Sequence, residues 1–364
     1  MEMNKQSQTG GDNSQQVQVG SISNLTIVNG ITEQRAREIY QEMNQQAISN
    51  YTRDAYSEAL RRIGNLEKRF MKRVEEVDGV LDAFGDPAFQ VLLREVQKRA
   101  AATEREADYQ LLSELLVCHV QKGECRTNRA GINRAVEIVG DVDTNALCAL
   151  TVAHAVESFI PTTGNISEGL QVLNELLSKL MYEDLPSGNS WLDHLDLLGA
   201  VRLAAFGEMK KLCEYYSDQL SGYVCTGIER SSDVYLQAMD ILTKAHINPN
   251  ILVDNECLDG YVRLSIPSKN AIRMLSFPSR NGRIPLAENQ IEALEQVWNL
   301  YIKDSTLIQQ SKNKFSELLS GFDSIKKCQQ WWDGIPGCFD ITQVGKVLAH
   351  TNAKRCDPRV PDMV

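Results

Sequence analysis

The chain has 364 residues, of which 43% are hydrophobic and 24% are charged, a composition that excludes wholesale disorder and fibrous repeats. Its length is ample for a buried core and predicts about two domains. The 48 acidic residues outnumber the 38 basic ones and give a formal net charge of -10, so a broad phosphate-binding surface is disfavoured and bulk nucleic-acid binding is not expected.

Residues 1–31 combine a polar tail with two short strand patterns. Residues 1–14 are rich in Gln, Asn, Ser and Gly, so we expect a disordered tail. Residues 15–31 alternate apolar and polar side chains on either side of Gly20, and the apolar ones are Val17, Val19, Ile22, Leu25 and Ile27. Two such strands are marginal alone in water. They need either copies of themselves, which makes this a self-association segment, or the helices of their own chain, which they would then cap.

A long helical hairpin is predicted over residues 32–122. Thr32 is a plausible N-cap, and a coiled-coil-like apolar stripe begins at Ala36, Tyr40 and Met43. The opposite face mixes charges of both signs, which is typical of a solvated face. We place these three stripe residues with the strands in the predicted oligomerisation surface.

The second helix of this hairpin has a clear start signal. Asp86 is predicted as its N-cap and Pro87 as its first residue, and the helix should run to about residue 120. The polar stretch 123–131 is then taken as a domain boundary.

A C-terminal α+β domain is predicted over residues 130–364. Helices are expected at 132–139, 143–159, 167–181, 191 to about 216, 233–245, 286–301, onward through 319, and 341–351. Strand patterns at 222–228 and 261–266 flank one of these helices and predict a small sheet, while 267–285 reads as a polar loop. The predicted fold class is therefore mainly α, of the α+β type.

Asp193, His194 and Asp196 form the most suggestive chemical cluster. These residue types can ligate a metal or form an acid–base pair. On a helix, however, positions 193 and 196 share a face while 194 points away, and no second histidine motif completes a ligand set. The cluster is a weak candidate site, and acidic residues at a helix start are the alternative interpretation.

Other constellations lack the spacing that chemistry requires. Nine cysteines without CxxC pairs predict reduced thiols in a cytoplasmic protein, and Cys328, Cys338, His350 and Cys356 lack the paired spacing of a zinc site. No nucleophile elbow or glycine-rich phosphate loop is present, and no apolar stretch reaches the length of a membrane span. We therefore predict no catalytic residues, no metal and no cofactor.

Two C-terminal features are candidates for nucleic-acid binding. Trp331-Trp332, with Trp298 and Tyr301 upstream, can form a stacking platform, but core filling is the better interpretation because arginines are sparse nearby. Residues 339–350 have the pattern of the closing helix of a winged-helix module. Few cations accompany this pattern, which weakens the interpretation.

Several blocks resemble a known kind of bacterial protein. Residues 25–32, a strand ending in Gly-Ile-Thr and followed by an amphipathic helix, resemble an N-terminal module carried by many proteins of anti-phage defence islands. Residues 191–196, 219–223 and 261–265 are similar to the central blocks of an uncharacterised bacterial family that carries this module. The resemblance implies a cytoplasmic bacterial setting and a defence context, with no catalytic residues to carry over.

The leading hypothesis is a non-enzymatic, self-assembling interaction or sensor protein whose partners are copies of itself and another defence protein or a phage component. The first alternative is a regulatory nucleic-acid-binding module that uses the winged-helix-like segment. The second is a hydrolase with a site near Asp193 and His194. A membrane partner is not expected.

Overall fold

A computed structural model describes residues 31–49, 51–123, 125–204, 206–279 and 282–363. The predicted tail and strand pair lie outside these residues, as do Val17, Val19, Ile22, Leu25 and Ile27. Within the described residues the protein is mainly helical with small antiparallel sheets, which confirms the predicted fold class.

Five helices occupy the region predicted as a hairpin. They are α1 (Glu33–Ile48), α2 (Arg53–Glu76), α3 (Val80–Ala83), α4 (Pro87–Ala102) and α5 (Glu106–Lys122). Thr32 and Asp86 cap α1 and α4 through their side chains, and Pro87 opens α4, as the sequence predicts. The expectation of two uninterrupted helices was wrong.

The break between α4 and α5 has a tertiary cause. The Thr103 hydroxyl donates to the buried Asp108 carboxylate, and the Arg105 guanidinium donates to the carbonyl oxygens of Val139 and Val142, both at 2.6 Å. These contacts hold the chain in an extended conformation at Thr103 and Arg105, where a helix would otherwise continue.

The predicted boundary at 123–131 does not separate two cores. Helices α6 (Arg126–Ile138), α7 (Thr144–Ser158), α8 (Ile166–Leu180) and α9 (Ser190–Leu197) follow α5. Their apolar side chains share one continuous core with α1 to α5, which we call the first core. The polar stretch therefore holds the short connection after α5 and the first residues of α6, between packed helices.

The helix predicted from residue 191 to about 216 was wrong after its second turn. Gly199, in the left-handed conformation at φ 75°, follows the end of α9, and the chain then forms β1 (Val201–Leu203) and α10 (Leu212–Gln219). Strand β1 pairs antiparallel with the distant strand β7 (Phe339–Ile341), with Arg202 opposite Asp340. A partner 138 positions away in the register overrides the local helical pattern.

The closing helix α15 (Gln343–Cys356) is central to the first core. It packs against α5, α6 and α7, and residues 347–353 are all buried. A recognition helix must offer an exposed face to a groove. Residues 347–353 of α15 therefore offer no exposed face to a nucleic-acid groove.

A second core is built from residues between α10 and the last helices. It contains residues of β2 (Ile228–Glu229), α11 (Asp233–Lys244), β3 (Leu252–Asp254), β4 (Tyr261–Leu264) and α12 (Glu288–Asn299). Strands β5 (Ser276–Ser279) and β6 (Gly282–Pro285) form a hairpin between β4 and α12 in the chain, and the side chains of β6 are exposed. The strand order β2-β4-β3 confirms the predicted small sheet. The predicted loop 267–285 instead holds a 3-10 helix at Lys269–Met274 and the β5–β6 hairpin.

Two further helices return the chain to the first core. These are α13 (Ser305–Ser320) and α14 (Asp323–Trp332), and the sequence analysis missed the second. The second core is thus an insertion between α10 and α13. No helix in the described part of the chain is both long and apolar enough to cross a membrane.

Candidate functional site

His194 and Asp196 of the suggested cluster make structural hydrogen bonds in α9, and Asp193 lies in the first turn of this helix. The His194 ring accepts a hydrogen bond at Nε2 from the backbone N–H of Asp143, at 3.1 Å, and Asp196 accepts one from the N–H of Leu203, at 3.3 Å. These bonds tie α9 to the start of α7 and to β1. The described residues contain no group of three or more His, Cys, Asp or Glu side chains that can hold a metal.

The predicted oligomerisation residues of α1 face the chain's own core. Ala36 and Tyr40 are fully buried, and the Tyr40 hydroxyl donates to the carbonyl oxygen of Ile63. Met43 is partly buried against the same core. Ala36 and Tyr40 are therefore not available to a second copy in this structure, whereas Met43 keeps part of its surface exposed.

The four residues weighed as zinc ligands do not form a site. Burial raises the pKa of the Cys328 thiol to about 12, so it stays protonated and is a poor ligand. His350 contacts the ring of His154 and the carbonyl oxygen of Pro361 instead of a cysteine.

The most distinctive polar site is a cleft of about 380 Å³ where the two cores meet, which we call the lysine cleft. Its lining comes from α10, α12 and α13 and the loops around them. The lining residues that carry the argument are Lys269, Lys303, Lys312, Trp298, Tyr301 and Cys225. Every charged side chain in the lining is a lysine.

The three cleft lysines have no carboxylate partner among the described residues. All three are exposed, and none forms an ion pair among the described residues, whereas neighbouring Lys314 pairs with Glu317 at 3.0 Å. Asp304 is next to Lys303 in sequence, but its carboxylate caps α13 by accepting the N–H groups of Thr306 and Leu307. The cleft is therefore a local basic site in a chain with net charge -10.

One wall of the cleft is aromatic. The rings of Trp298 and Tyr301 have centroids 4.9 Å apart and planes inclined by 35°. Tyr301 is fixed because its hydroxyl accepts the N–H of Leu264 in β4 at 2.7 Å, while Trp298 is only half-buried. The indole thus presents part of its surface from a rigid support.

Neutral groups of the cleft lining are hydrogen-bonded within the protein. The Asn255 amide donates to the carbonyl oxygens of Cys225 and Thr226 at 2.9 and 3.0 Å, and the Thr226 hydroxyl donates to the carbonyl oxygen of Ile302. Burial raises the pKa of the Cys225 thiol to about 12. No thiolate therefore competes with a bound anion for the lysines.

A buried arginine joins the two cores beside the cleft. Arg263 in β4 is fully buried and donates to the carbonyl oxygen of Gly164 at 2.8 Å, while Glu256 lies 3.7 Å away. Glu256 in turn accepts the backbone N–H groups of Ile166 and Ser167 at the start of α8. Sequence reasoning missed this bridge and the cleft, because their residues come from segments that meet only in the folded chain.

Fold and site together define a mainly helical, two-core protein with a basic cleft at the junction. A protein-family model described only as ":-like" matches residues 30–360, so the chain belongs to that family. The description states no activity. Comparison with curated proteins and with solved structures gives no match. The chemistry of the lysine cleft has to be derived from its own residues.

Proposed function

We propose that the protein is a sensor that binds a nucleotide-like ligand, one that joins phosphate groups to an aromatic ring, in the lysine cleft. The observation that carries this proposal is the set of three unpaired lysines beside an aromatic wall in an acidic protein. Lysine ammonium groups bind phosphate as point charges, and an indole face stacks on a base.

The dimensions of the cleft favour a small ligand. Its volume of about 380 Å³ lies within the usual range of roughly 300 to 1,000 Å³ for small-molecule sites, which also occur preferentially between domains. A duplex needs a long basic track, which a protein of net charge -10 with three cleft lysines does not offer.

The position of the cleft supports sensing. Lys312 belongs to α13 in the first core, and Trp298 belongs to α12 in the second. A ligand that contacts both favours whichever arrangement of the cores brings these groups together. Binding in the cleft can therefore change the surface that the protein presents to a partner.

The proposed protein partners are inferred from the sequence. The alternating residues 15–31 favour assembly with further copies, and the resemblance noted above favours a defence protein or phage component as partner in the bacterial cytoplasm. We propose that the bound ligand regulates this contact.

Calorimetric titration of the full chain with ATP, GTP, adenosine and pyrophosphate tests the ligand. We expect a nucleotide to bind, and adenosine and pyrophosphate to bind more weakly because each offers half of the recognised groups. Lys303→Ala combined with Lys312→Ala should weaken binding at least tenfold. Lys314→Ala is the matched control, since this lysine lies on the same helix but is paired with Glu317.

Two outcomes would reject the proposal. One is the absence of binding by both nucleotides at millimolar concentration. The other is equal loss of affinity in the cleft double variant and in Lys314→Ala, which would mean that overall charge and not the cleft attracts the ligand.

A further inference from the structure

A second constellation lies in the first core and shares no lining residue with the lysine cleft. His154 in α7 and His350 in α15 are both buried, and Nε2 of His154 lies 3.4 Å from Nδ1 of His350. The hydroxyl of Ser158, one turn after His154 on the same helix, lies 3.2 Å from Nδ1 of His154. Ser158 itself is exposed.

The hydrogen-bond partners determine which atom donates and which accepts along the series Ser158, His154, His350 and Pro361. Nε2 of His350 is 2.8 Å from the carbonyl oxygen of Pro361, which can only accept, so Nε2 carries the hydrogen of the neutral ring. Nδ1 of His350 then accepts from Nε2–H of His154. This leaves Nδ1 of His154 as the acceptor for the Ser158 hydroxyl.

Both rings are neutral at ordinary pH. Burial, followed by the repulsion that a protonated His350 would exert and by the charge of Lys346, lowers the pKa of His154 to about 4. Burial also lowers the pKa of His350. A neutral His154 with an unprotonated Nδ1 beside a serine hydroxyl has the arrangement of a general base beside its nucleophile.

Ser158 stands at the rim of two cavities of different character. One, of about 390 Å³, is lined mainly by apolar groups that include Phe159, Leu173 and Val360. The other, of about 310 Å³, contains His154, His350 and Lys346. Lys346 is exposed and forms no ion pair within 4 Å among the described residues, although the carboxylate of Glu157, whose pKa is raised by burial, is close enough for this charge to oppose that rise. Lys346 is the cation that lines the same cavity as Ser158 and His154.

We propose that Ser158, His154 and His350 form a site for acyl transfer from carboxylic esters with short aliphatic acyl groups. The apolar cavity takes the acyl chain, and Lys346 stabilises the oxyanion. Ser158 is the nucleophile and His154 the general base. His350 is a positioning residue, because it acts through the tautomer of His154.

The reaction balances without any further reagent except water. The Ser158 oxygen attacks the ester carbonyl carbon while its proton moves to Nδ1 of His154. The bond from that carbon to the alcohol oxygen breaks, and the leaving alcohol takes the proton from His154. Water then attacks the acyl-serine by the same route, which releases the carboxylic acid and restores the serine hydroxyl.

Hydrolysis of p-nitrophenyl butyrate by the full chain and labelling by a fluorophosphonate test the site. We expect turnover, and a mass increase on the peptide that contains Ser158. Ser158→Ala and His154→Gln should each lower kcat at least 100-fold. Ser178→Ala is the control, since this exposed hydroxyl bonds, within the described part of the chain, only to the carbonyl oxygen of Glu175.

The role of His350 has its own readout. His350→Asn keeps an acceptor near the Nδ1 position and should retain more kcat than His350→Leu, with KM unchanged in both. The proposal is overturned if p-nitrophenyl acetate, butyrate and octanoate are not turned over and no label appears. Turnover and labelling that survive in Ser158→Ala overturn it equally. Nucleotide binding in the lysine cleft is unaffected by either result.

Discussion

Arg263 is a charged side chain that is buried between the two cores. It is fully buried, and its two terminal nitrogens donate to two carbonyl oxygens, with Glu256 and the ring of Tyr223 close by; the ring centroid is 5.6 Å from Cζ. Its Nε has no hydrogen-bond partner among the described residues. Removing one member of such a set leaves the others unpaired in a medium of low polarity. We therefore expect Arg263 to make a large contribution to the free energy of unfolding.

Arg263→Ala should lower the free energy of unfolding by about 3 kcal/mol, the range for breaking a buried charged network. Urea denaturation followed by circular dichroism measures the change. Arg230→Ala is the control, because the Arg230–Asp254 pair on the same sheet is exposed and should contribute less than about 1 kcal/mol. Equal effects of the two variants would contradict the structural role of Arg263.

The buried His154 predicts a pH dependence of stability. Its folded pKa of about 4 is below the ordinary value of 6.5, so between these pH values the unfolded chain binds more protons. Stability is thus fully present above pH 6.5 and falls as the pH drops, by about 3 kcal/mol at pH 4 from this residue. His350, whose pKa is also lowered, adds to the loss.

Melting temperatures from pH 7.5 to 4 check this expectation. His154→Gln should flatten the dependence, since it removes the titrating ring. His246→Asn, which changes an exposed histidine, should keep the dependence of the unaltered chain. A flat profile for the unaltered chain would exclude the buried neutral pair.

At the scale of elements, two glycines in helices have opposite surroundings. A Cβ on Gly345 in α15 would lie 2.0 Å from the carbonyl oxygen of Ala200, whereas a Cβ on Gly64 in α2 would meet nothing within 4 Å. Close approach of α15 to the turn before β1 is therefore possible only with glycine at 345. Helix propensity alone would favour alanine at both positions.

Gly345→Ala should lower the free energy of unfolding by about 2 kcal/mol, because the backbone of α15 has to move away from Ala200. Gly64→Ala should instead raise it by about 0.5 to 1 kcal/mol, through propensity. Thermal unfolding of both variants measures the pair. If Gly345→Ala stabilised the protein, the close approach of α15 to the carbonyl oxygen of Ala200 would be contradicted.

The predicted strand segment makes an independent element-scale prediction. If residues 15–31 assemble copies, deletion of residues 1–31 should lower the mass in solution while leaving helix content nearly unchanged. Val19→Asp with Ile27→Asp should do the same, because each copy would have to desolvate the new carboxylates. Light scattering measures the mass. A double variant that melts earlier at unchanged mass would favour strands that cap their own chain.

At the scale of the whole molecule, charge limits the partners. The formal net charge is -10, and many cations are paired within the fold, among them Arg73 with Glu114 and Lys179 with Asp357. The remaining positive charge is local, as in the lysine cleft. Long-range attraction to a polyanion should therefore be weak.

Random duplex DNA should show no measurable binding in a gel shift at physiological salt. The reason is the net negative charge, together with the burial of residues 347–353 of α15, which leaves this helix no exposed face for a DNA groove. Calorimetric titration with ATP at the same salt concentration provides the positive comparison. Saturable submicromolar DNA binding that weakens with added salt would contradict this expectation.

The sequence by itself determined what depends on neighbouring residues. The capping side chains of Thr32 and Asp86 start helices where predicted, because an N-cap acts within three residues. The pattern around 233–245 and 261–266 gave the helix and a strand of the second core. The fold class followed from such local signals.

Only the tertiary structure decided what depends on distant partners. Strand β1 replaces a predicted helix because β7 pairs with it, and Ala36 and Tyr40 lie inside because α4 covers α1. Both candidate sites unite segments that are far apart in the chain, from Ser217 to Lys312 in the lysine cleft and from His154 to His350 in the other. Electrostatics and hydrogen bonding act through space, so no local pattern could have brought these residues together.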